Sequence, residues 1–307
     1  MAEPFIIADL RGVAEVISSL HVRVADLTMS LVSDNADLIL GVDGAAKAFV
    51  VNDSSPDVEM RVRWGDLSAE RDGEKLFDSG RVWQLFSENG AYLFKFTSKL
   101  HPWFPYKTAR FNHDFTRGEV ALHRPYFAGE QFVYPLAYPL DELLIMNLLA
   151  RGRGAELHSC GVVDEDGRGY LFIGQSGAGK TTTARLWEKE RGVKILSDDR
   201  IIVRRFDGKF WMYGTPWHGE AELANASRAP LTHIFFLQQA QHNELLRKSR
   251  AESVARLFAC GFPPFHDPPG LEFTARFFDD LTRAVPCDEL RFVNDEKVVE
   301  FVRQQTE

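Results

Sequence analysis

The sequence predicts a mixed α/β protein, with a β-rich region over residues 1–130 followed by an α/β core over residues 131–307. Three observations carry this. Up to about residue 125, short apolar runs alternate with turn residues, the pattern of half-buried strands. From Tyr138 onward, strand-length apolar runs alternate with helix-length segments, as in βα units. Between two of those segments lies a glycine-rich loop, Gly174–Thr181.

The first region reads mostly as antiparallel strands. Val82–Phe86 and Ala91–Phe96 flank Asn89-Gly90, a hairpin signal because both turn residues tolerate positive φ. Ala45–Val51, Val58–Trp64 and Thr108–Phe111 are further short strands, and Gly118–His123 pairs with the last of them. Lys99–Tyr106 holds two prolines and a cluster of rings, so it is expected to be a loop packed over the sheet, with a lip that binds the acceptor as the alternative.

In the second region, Asp141–Ala150 is an apolar helix opened by an acid and ended near Gly152 and Gly154. Glu156–Val163 and Tyr170–Ile173 are strands around the turn Asp164–Gly169. The glycine-rich loop leads into a helix reaching about Glu190, then the strand Val193–Leu196. Ile201–Phe206 and Phe210–Tyr213 form a hairpin at Asp207-Gly208, and His233–Leu237 is a buried strand. Ser249–Ala259 and Leu271–Ala284 are helices, and Leu290–Val293 is a strand before a C-terminal helix.

Composition narrows the function classes. The 307 residues carry 36 Lys+Arg against 44 Asp+Glu, a net charge of −8. That balance argues against non-specific nucleic-acid binding, which needs a basic field to displace counterions from phosphates. Cys160, Cys260 and Cys287 lie far apart without zinc-type spacing, which fits a reducing compartment. Met1–Leu20 carries Glu3, Asp9 and Glu15, unlike a basic signal peptide, and no run of 18 apolar residues occurs. These features predict a cytoplasmic protein without a transmembrane segment.

The loop Gly174-Gln175-Ser176-Gly177-Ala178-Gly179-Lys180-Thr181 matches the phosphate-binding pattern G-x-x-x-x-G-K-[ST] in full. Glycines let successive backbone N–H groups turn toward phosphate oxygens, and the following helix, with Thr182 in its first turn, adds its N-terminal partial charge. Lys180 would neutralise the β- and γ-phosphates, and the Thr181 hydroxyl would ligate Mg²⁺. No guanine-reading Asn-Lys-x-Asp motif occurs, which favours ATP. A second motif, Leu196-Ser197-Asp198-Asp199-Arg200, places paired carboxylates at the end of an apolar strand, where a Mg²⁺ ligand and a general base belong.

His158, the loop and Asp198-Asp199, in this order and spacing, resemble the catalytic domain of HPr kinase/phosphorylase and its kinase-like relatives, over about residues 155–240. The resemblance implies a phosphate-loop core of the type shared with phosphoenolpyruvate carboxykinase. It implies Asp199 as the base that deprotonates the acceptor hydroxyl, Asp198 beside the metal, and His158 near the transferring phosphate. Gly214–Glu220 looks like the segment that closes such sites, with Glu220 as second acidic Mg²⁺ ligand and Glu222 as its fallback. Arg228 stands where the family has a basic residue facing phosphate. The run Lys180-Thr181-Thr182 is also similar to phosphoenolpyruvate carboxykinase itself, but that enzyme is longer and its metal-binding and carboxylate-binding sets have no match here.

The resulting expectation is a Mg·ATP-dependent kinase with a hydroxyl acceptor, by resemblance a protein or peptide serine. Relatives assemble into oligomers, so the resemblance allows a homo-oligomer. Two alternatives stand beside it. Aromatic runs at Trp103–Tyr106 and Tyr126–Tyr138 would suit a small-molecule or lipid alcohol, although core packing explains them as well. A non-catalytic nucleotide sensor or ATPase switch needs the loop but has less use for the aspartate pair. Trp217 is expected to pack, His233 to be a satisfied core histidine, and His218 to be structural with substrate contact as the alternative, while His101 and His113 have no partner legible in the sequence.

Overall fold

The computed structural model describes residues 18–52, 55–67, 73–80, 82–99 and 103–306. They divide into two compact units. The first holds the described residues up to Arg23, with Leu27–Gly44 and Val50–Leu140; the second holds Val24–Asp26, Ala45–Phe49 and the described residues from Asp141 on.

Unit one is built on one sheet of eight strands: β1 (Ser19–Val24), β2 (Leu27–Ser33), β3 (Val58–Trp64), β4 (Glu74–Asp78), β5 (Trp83–Glu88), β6 (Ala91–Thr97), β7 (Pro105–Phe111) and β8 (Arg117–Leu122). Their order is β1-β2-β3-β8-β7-β6-β5-β4. The Asn89-Gly90 hairpin forms, with φ of 49° and 78° at its two residues, and β7 pairs with β8 as expected. Period-2 burial is clear in β3, where Val58, Met60 and Val62 point inward. Phe94, Phe96, Phe111 and Phe115 pack as neighbouring rings behind the hairpin.

The sheet is mainly antiparallel, as expected, with β2–β3 and β3–β8 paired in parallel; the long connections at 34–57 and 65–116 supply the crossover length that parallel pairing requires. Two expectations for the stretch up to residue 130 need correction. Ala45–Val51 contains no strand but a 3₁₀ helix, Gly44–Phe49, in keeping with its three alanines and lysine, all strong helix formers. The loop expected at Lys99–Tyr106 gives way to β7 already at Pro105, a strand start where proline forfeits no ladder bond. His101 and positions 100 and 102 lie outside the described residues.

Unit two contains α1 (Leu140–Leu149), β9 (Ala155–Val163), β10 (Gly169–Ile173), α2 (Lys180–Glu188), β11 (Lys194–Ser197), β12 (Arg200–Phe206), β13 (Lys209–Tyr213), β14 (Arg228–Gln239), β15 (Glu244–Arg247), α3 (Arg250–Ala259), α4 (Pro268–Ala284), β16 (Cys287–Phe292) and α5 (Lys297–Thr306). One stretch of sheet runs β11-β9-β10-β14-β16-β15, with β10, β14 and β16 parallel. A second stretch, β9-β12-β13-β14, is antiparallel and shares β9 and β14 with the first.

Both faces of β10 and of the central part of β14 are covered, so these strands read as nearly unbroken apolar runs. Leu171, Ile173, Ile234 and Phe236 enter one core with Leu257 of α3 and Phe277, Phe278 and Leu281 of α4. Tyr170, Phe172, Phe235 and Leu237 alternate onto the other face, against Ala184 and Trp187 of α2 and Val298, Val299 and Val302 of α5. Full burial of a ring such as Phe172 or Phe235 contributes about 1.5–3 kcal/mol. This sandwich fixes the C-terminal ends of β10 and β14, and with them the glycine-rich loop. Among the described residues, no helix is long and apolar enough to cross a membrane.

Candidate active site

The loop at 174–179 joins β10 to α2, as the sequence motif requires. Two glycines are dictated by geometry. Gly179 caps α2 at φ 108°, in the left-handed region, and a Cβ there would come within 2.8 Å of the Phe292 ring. A Cβ on Gly174 would lie 2.5 Å from the Cβ of Ala178, so the loop could not curl so tightly. Gly179 offers no side-chain cap, so the first N–H groups of α2 lack the acceptor that a serine or aspartate would supply. A cavity of about 420 Å³ opens at the loop, bounded by 173–178, the end of β14, and Arg256, Ala259 and Cys260 of the α3 end.

Lys180 is only 7% exposed, and its Nζ donates to the carbonyls of Gly174 at 2.8 Å and Gln175 at 3.3 Å. Burial pulls the ammonium below its ordinary range, opposed chiefly by the Asp199 charge. Asp199 follows β11, and its carbonyl accepts from the Ser159 N–H on β9 at 3.0 Å. Ser159 in turn pairs with Ile173, the last residue before the loop. The strands thus bring Asp199 and the loop to one edge of the sheet.

His158 Nε2 lies 2.9 Å from Asp199 Oδ1, and Arg200 Nη1 donates to Asp199 Oδ2 at 2.5 Å. Burial pushes the Asp199 carboxyl up, but the His158 hydrogen bond, Arg200 and Lys180 together outweigh it and hold the group below its ordinary value. Arg200 also donates from Nε to Glu142 Oε1 at 2.8 Å and lies 4.3 Å over the Phe262 ring. The result is a half-buried, ionised carboxylate, oriented on both sides and beside a lysine.

Asp198 is placed differently. It is 1% exposed, and its two oxygens accept the backbone N–H groups of Gly219 and Ala221, each at 2.9 Å. This carboxylate clamps the 219–221 turn. Asp198→Ala is therefore expected to destabilise the protein by about 1–3 kcal/mol by stranding two amides, read in a denaturant titration. Wild-type stability of that variant would refute the clamp. Glu220 and Glu222 are exposed, and among the described residues no group of three or more His, Cys, Asp or Glu side chains is placed to hold a metal ion.

Arg228 does not come to the loop. It opens β14 opposite Tyr213, whereas the loop lies beyond Ile173, opposite Phe236. Eight residues separate Phe236 from Arg228 (236 − 228), on the order of 26 Å along an extended strand. Its guanidinium binds Asp26 Oδ2 at 2.6 Å and the Tyr213 hydroxyl at 3.2 Å. Trp217 packs, with Nε1 donating to Asp141 Oδ2 at 2.9 Å. His233 is a satisfied core residue, 2.8 Å from Asp288 Oδ2 and stacked on Phe235; a second cavity of about 500 Å³ beside it also holds Arg168 and Arg247, at the sheet end away from the loop. His218 is exposed, and His113 lies 3.1 Å from Asp114.

Sequence reasoning missed Glu142, Glu156 and Arg256. The last lines the loop cavity while bonded to Glu289 Oε2 at 2.5 Å. An arginine on a helix ending beside Cys260 carries no local motif that would have marked it.

No family model and no curated protein matches the chain. Among solved structures it is similar to the HPr(Ser) kinase/phosphatase from Coxiella burnetii, at 12% identity and a TM-score of 0.30, over 49% of this chain and 94% of that one. A likeness this weak carries no argument about activity.

Proposed function

We propose that this protein is a Mg·ATP-dependent kinase that transfers the γ-phosphoryl group to a hydroxyl acceptor. The observation that carries the reading is the meeting, at one sheet edge, of the Gly174–Thr181 loop with its buried Lys180 and the oriented carboxylate of Asp199. The tight curl at Gly174, the uncapped start of α2 and the 420 Å³ cavity support a phosphate-bearing substrate there. The loop backbone, Ser176 through Thr182, cradles the phosphates, and Lys180 exchanges its carbonyl partners for phosphate oxygens. Mg²⁺ would be held by phosphate oxygens and the Thr181 hydroxyl, and would supply charge neutralisation on the transferring group. Asp198, committed to the 219–221 turn, would act on the metal only through the position of that turn.

Asp199 accepts the acceptor's hydroxyl proton as the acceptor oxygen bonds to the γ-phosphorus and the bond to the β-phosphate oxygen breaks, releasing ADP. His158 and Arg200 aim the carboxylate. A sensor that only binds nucleotide has no need of this three-residue arrangement. A protein or peptide serine remains the acceptor suggested by the sequence resemblance. The second reading, a small-molecule or lipid alcohol, draws on the exposed rings of Trp103 and Tyr138, 83% and 63% accessible. Incubation with γ-labelled ATP and a fractionated lysate tests both. Label on protein supports the first, label in the metabolite or lipid fraction the second, and tight stoichiometric ATP binding with no transfer to any fraction rejects the kinase.

A further inference from the structure

Behind Asp199 lies a group of charges that the phosphoryl-transfer reading does not use. Glu156 sits on β9, two residues before His158, so both side chains are on one face of the strand. Arg200 is directly opposite His158 in the β9–β12 pairing, which makes Glu156 its diagonal neighbour. Glu142 reaches the same place from the first turn of α1. The Glu156 side chain is wholly buried.

Neither carboxyl oxygen of Glu156 meets a hydrogen-bond donor. Arg200 Nε is 3.6 Å from Oε1, beyond hydrogen-bond reach, because it is committed to Glu142. Solvent does not repair this. The adjoining cavity, about 10 Å³, is at the lower limit for one water, and its wall is apolar apart from Glu156 and Thr274. The Thr274 hydroxyl already donates to the Gly270 carbonyl. Arg200 Nε faces the Glu142 and Glu156 carboxyls together, at 2.8 and 3.6 Å, so a second carboxylate adjoins Glu156 where a donor is missing.

Counting charge gives the same answer. One guanidinium, Arg200, faces Asp199, Glu142 and Glu156, with Asp141 on α1 adding negative charge and His158 on β9 beyond Asp199. Asp141 is itself occupied by the Glu142 N–H and Trp217. Four carboxylates against two cations, Arg200 and the Lys180 ammonium beside Asp199, leave a net negative charge that desolvation penalises heavily. One proton relieves it, and also supplies the missing donor.

We propose that Glu156 holds a proton in the folded protein and that it acts with Glu142 to hold Arg200 against Asp199, making Glu142, Glu156 and Arg200 positioning residues for the reacting carboxylate. The Glu156 proton follows from its unmet buried oxygens and the charge around them, whatever the protein's activity; the positioning half rests on the proposed kinase reading. Burial, then the Glu142 charge, raises the Glu156 carboxyl well above its ordinary value. The folded protein therefore holds this proton where the unfolded chain has released it, so the Glu156 contribution to stability falls as pH rises above the ordinary glutamate range.

The test compares wild type with Glu156→Gln and Glu142→Gln in the full chain. The infrared spectrum of the wild type near neutral pH should contain a protonated-carboxyl C=O band that Glu156→Gln removes. The Tm of Glu156→Gln relative to wild type should rise between about pH 5 and pH 8, because the amide needs no proton. Absence of the band together with a flat Tm difference would overturn the Glu156 proton. For transfer, Glu142→Gln should lower kcat by about tenfold or more with nucleotide KM unchanged, the cost of a misplaced carboxylate, and Glu156→Gln should move the alkaline fall of kcat to higher pH. Wild-type kcat in Glu142→Gln would overturn the positioning role. If the band and Tm trend appear but neither wild type nor variants transfer phosphate, the Glu156 proton stands and the kinase reading fails.

Discussion

Lys180→Ala is expected to lower phosphoryl transfer by about 10²–10³-fold, the usual loss when one preorganised donor to developing charge is removed. The structure gives the effect two sources. Lys180 Nζ is already fixed at the loop by Gly174 and Gln175 carbonyls, so little reorganisation is needed to present it to phosphate oxygens. It is also largely withdrawn from water, where a charge acts more strongly than in bulk solvent. Its removal has a structural side too, because two loop carbonyls lose their donor. Lys180→Met separates the two, since it keeps the buried stem and loses only the ammonium. Both variants should fold, bind ATP more weakly in a calorimetric titration, and fail in a labelled-phosphate assay. Transfer by Lys180→Met at the wild-type rate would overturn the assignment.

Much of the second unit was legible because its physics is local. Tyr170–Ile173 and His233–Leu237 are apolar on both sides, as strands covered by helices on both faces must be. Ser249 opens its helix with a reciprocal capping box to Glu252, and the Asp207-Gly208 turn joins β12 to β13. What escaped depends on pairing at long range. The strand Leu27–Ser33 has no turn signal that announces its parallel partner, Val58–Trp64.

The candidate site divides along the same line. The loop could be read because phosphate binding imposes a contiguous spacing. Asp198 and Asp199 look alike as neighbours in a turn, yet one is buried under two amides and the other faces His158 and Lys180. Chain proximity also misled for Arg228, since its strand runs past the loop and its beginning lies at the far end. Glu142 and Glu156 were invisible for a different reason: one reads as part of the acidic start of a helix and the other as a lone acid in a strand, and their meeting depends on how α1 packs against β9 and β12.

Asp199→Asn is expected to reduce transfer by about 10²–10⁴-fold, the range for loss of a general base, while sparing ATP binding to the loop. The substitution is nearly isosteric, but its chemistry conflicts with both neighbours. An amide oxygen can still accept from His158 Nε2, which leaves the amide N–H₂ facing the Arg200 guanidinium, donor against donor. Some loss of stability should therefore accompany the loss of rate, and Asp199→Ala separates the effects by removing the base without adding a donor. Both variants should share the kinetic defect; a defect confined to asparagine would mean that the clash, and not the missing base, was responsible. The pH profile supplies a further check. Because the neighbours hold Asp199 below the ordinary carboxylate range, it is ionised throughout about pH 5–8, so kcat/KM should show no fall from this group on the acid side of that window. Asp199→Asn protein that bound Mg·ATP and transferred phosphate at the wild-type rate would remove Asp199 from the chemistry, and with it the main ground for reading this edge of the sheet as a kinase site rather than a nucleotide sensor.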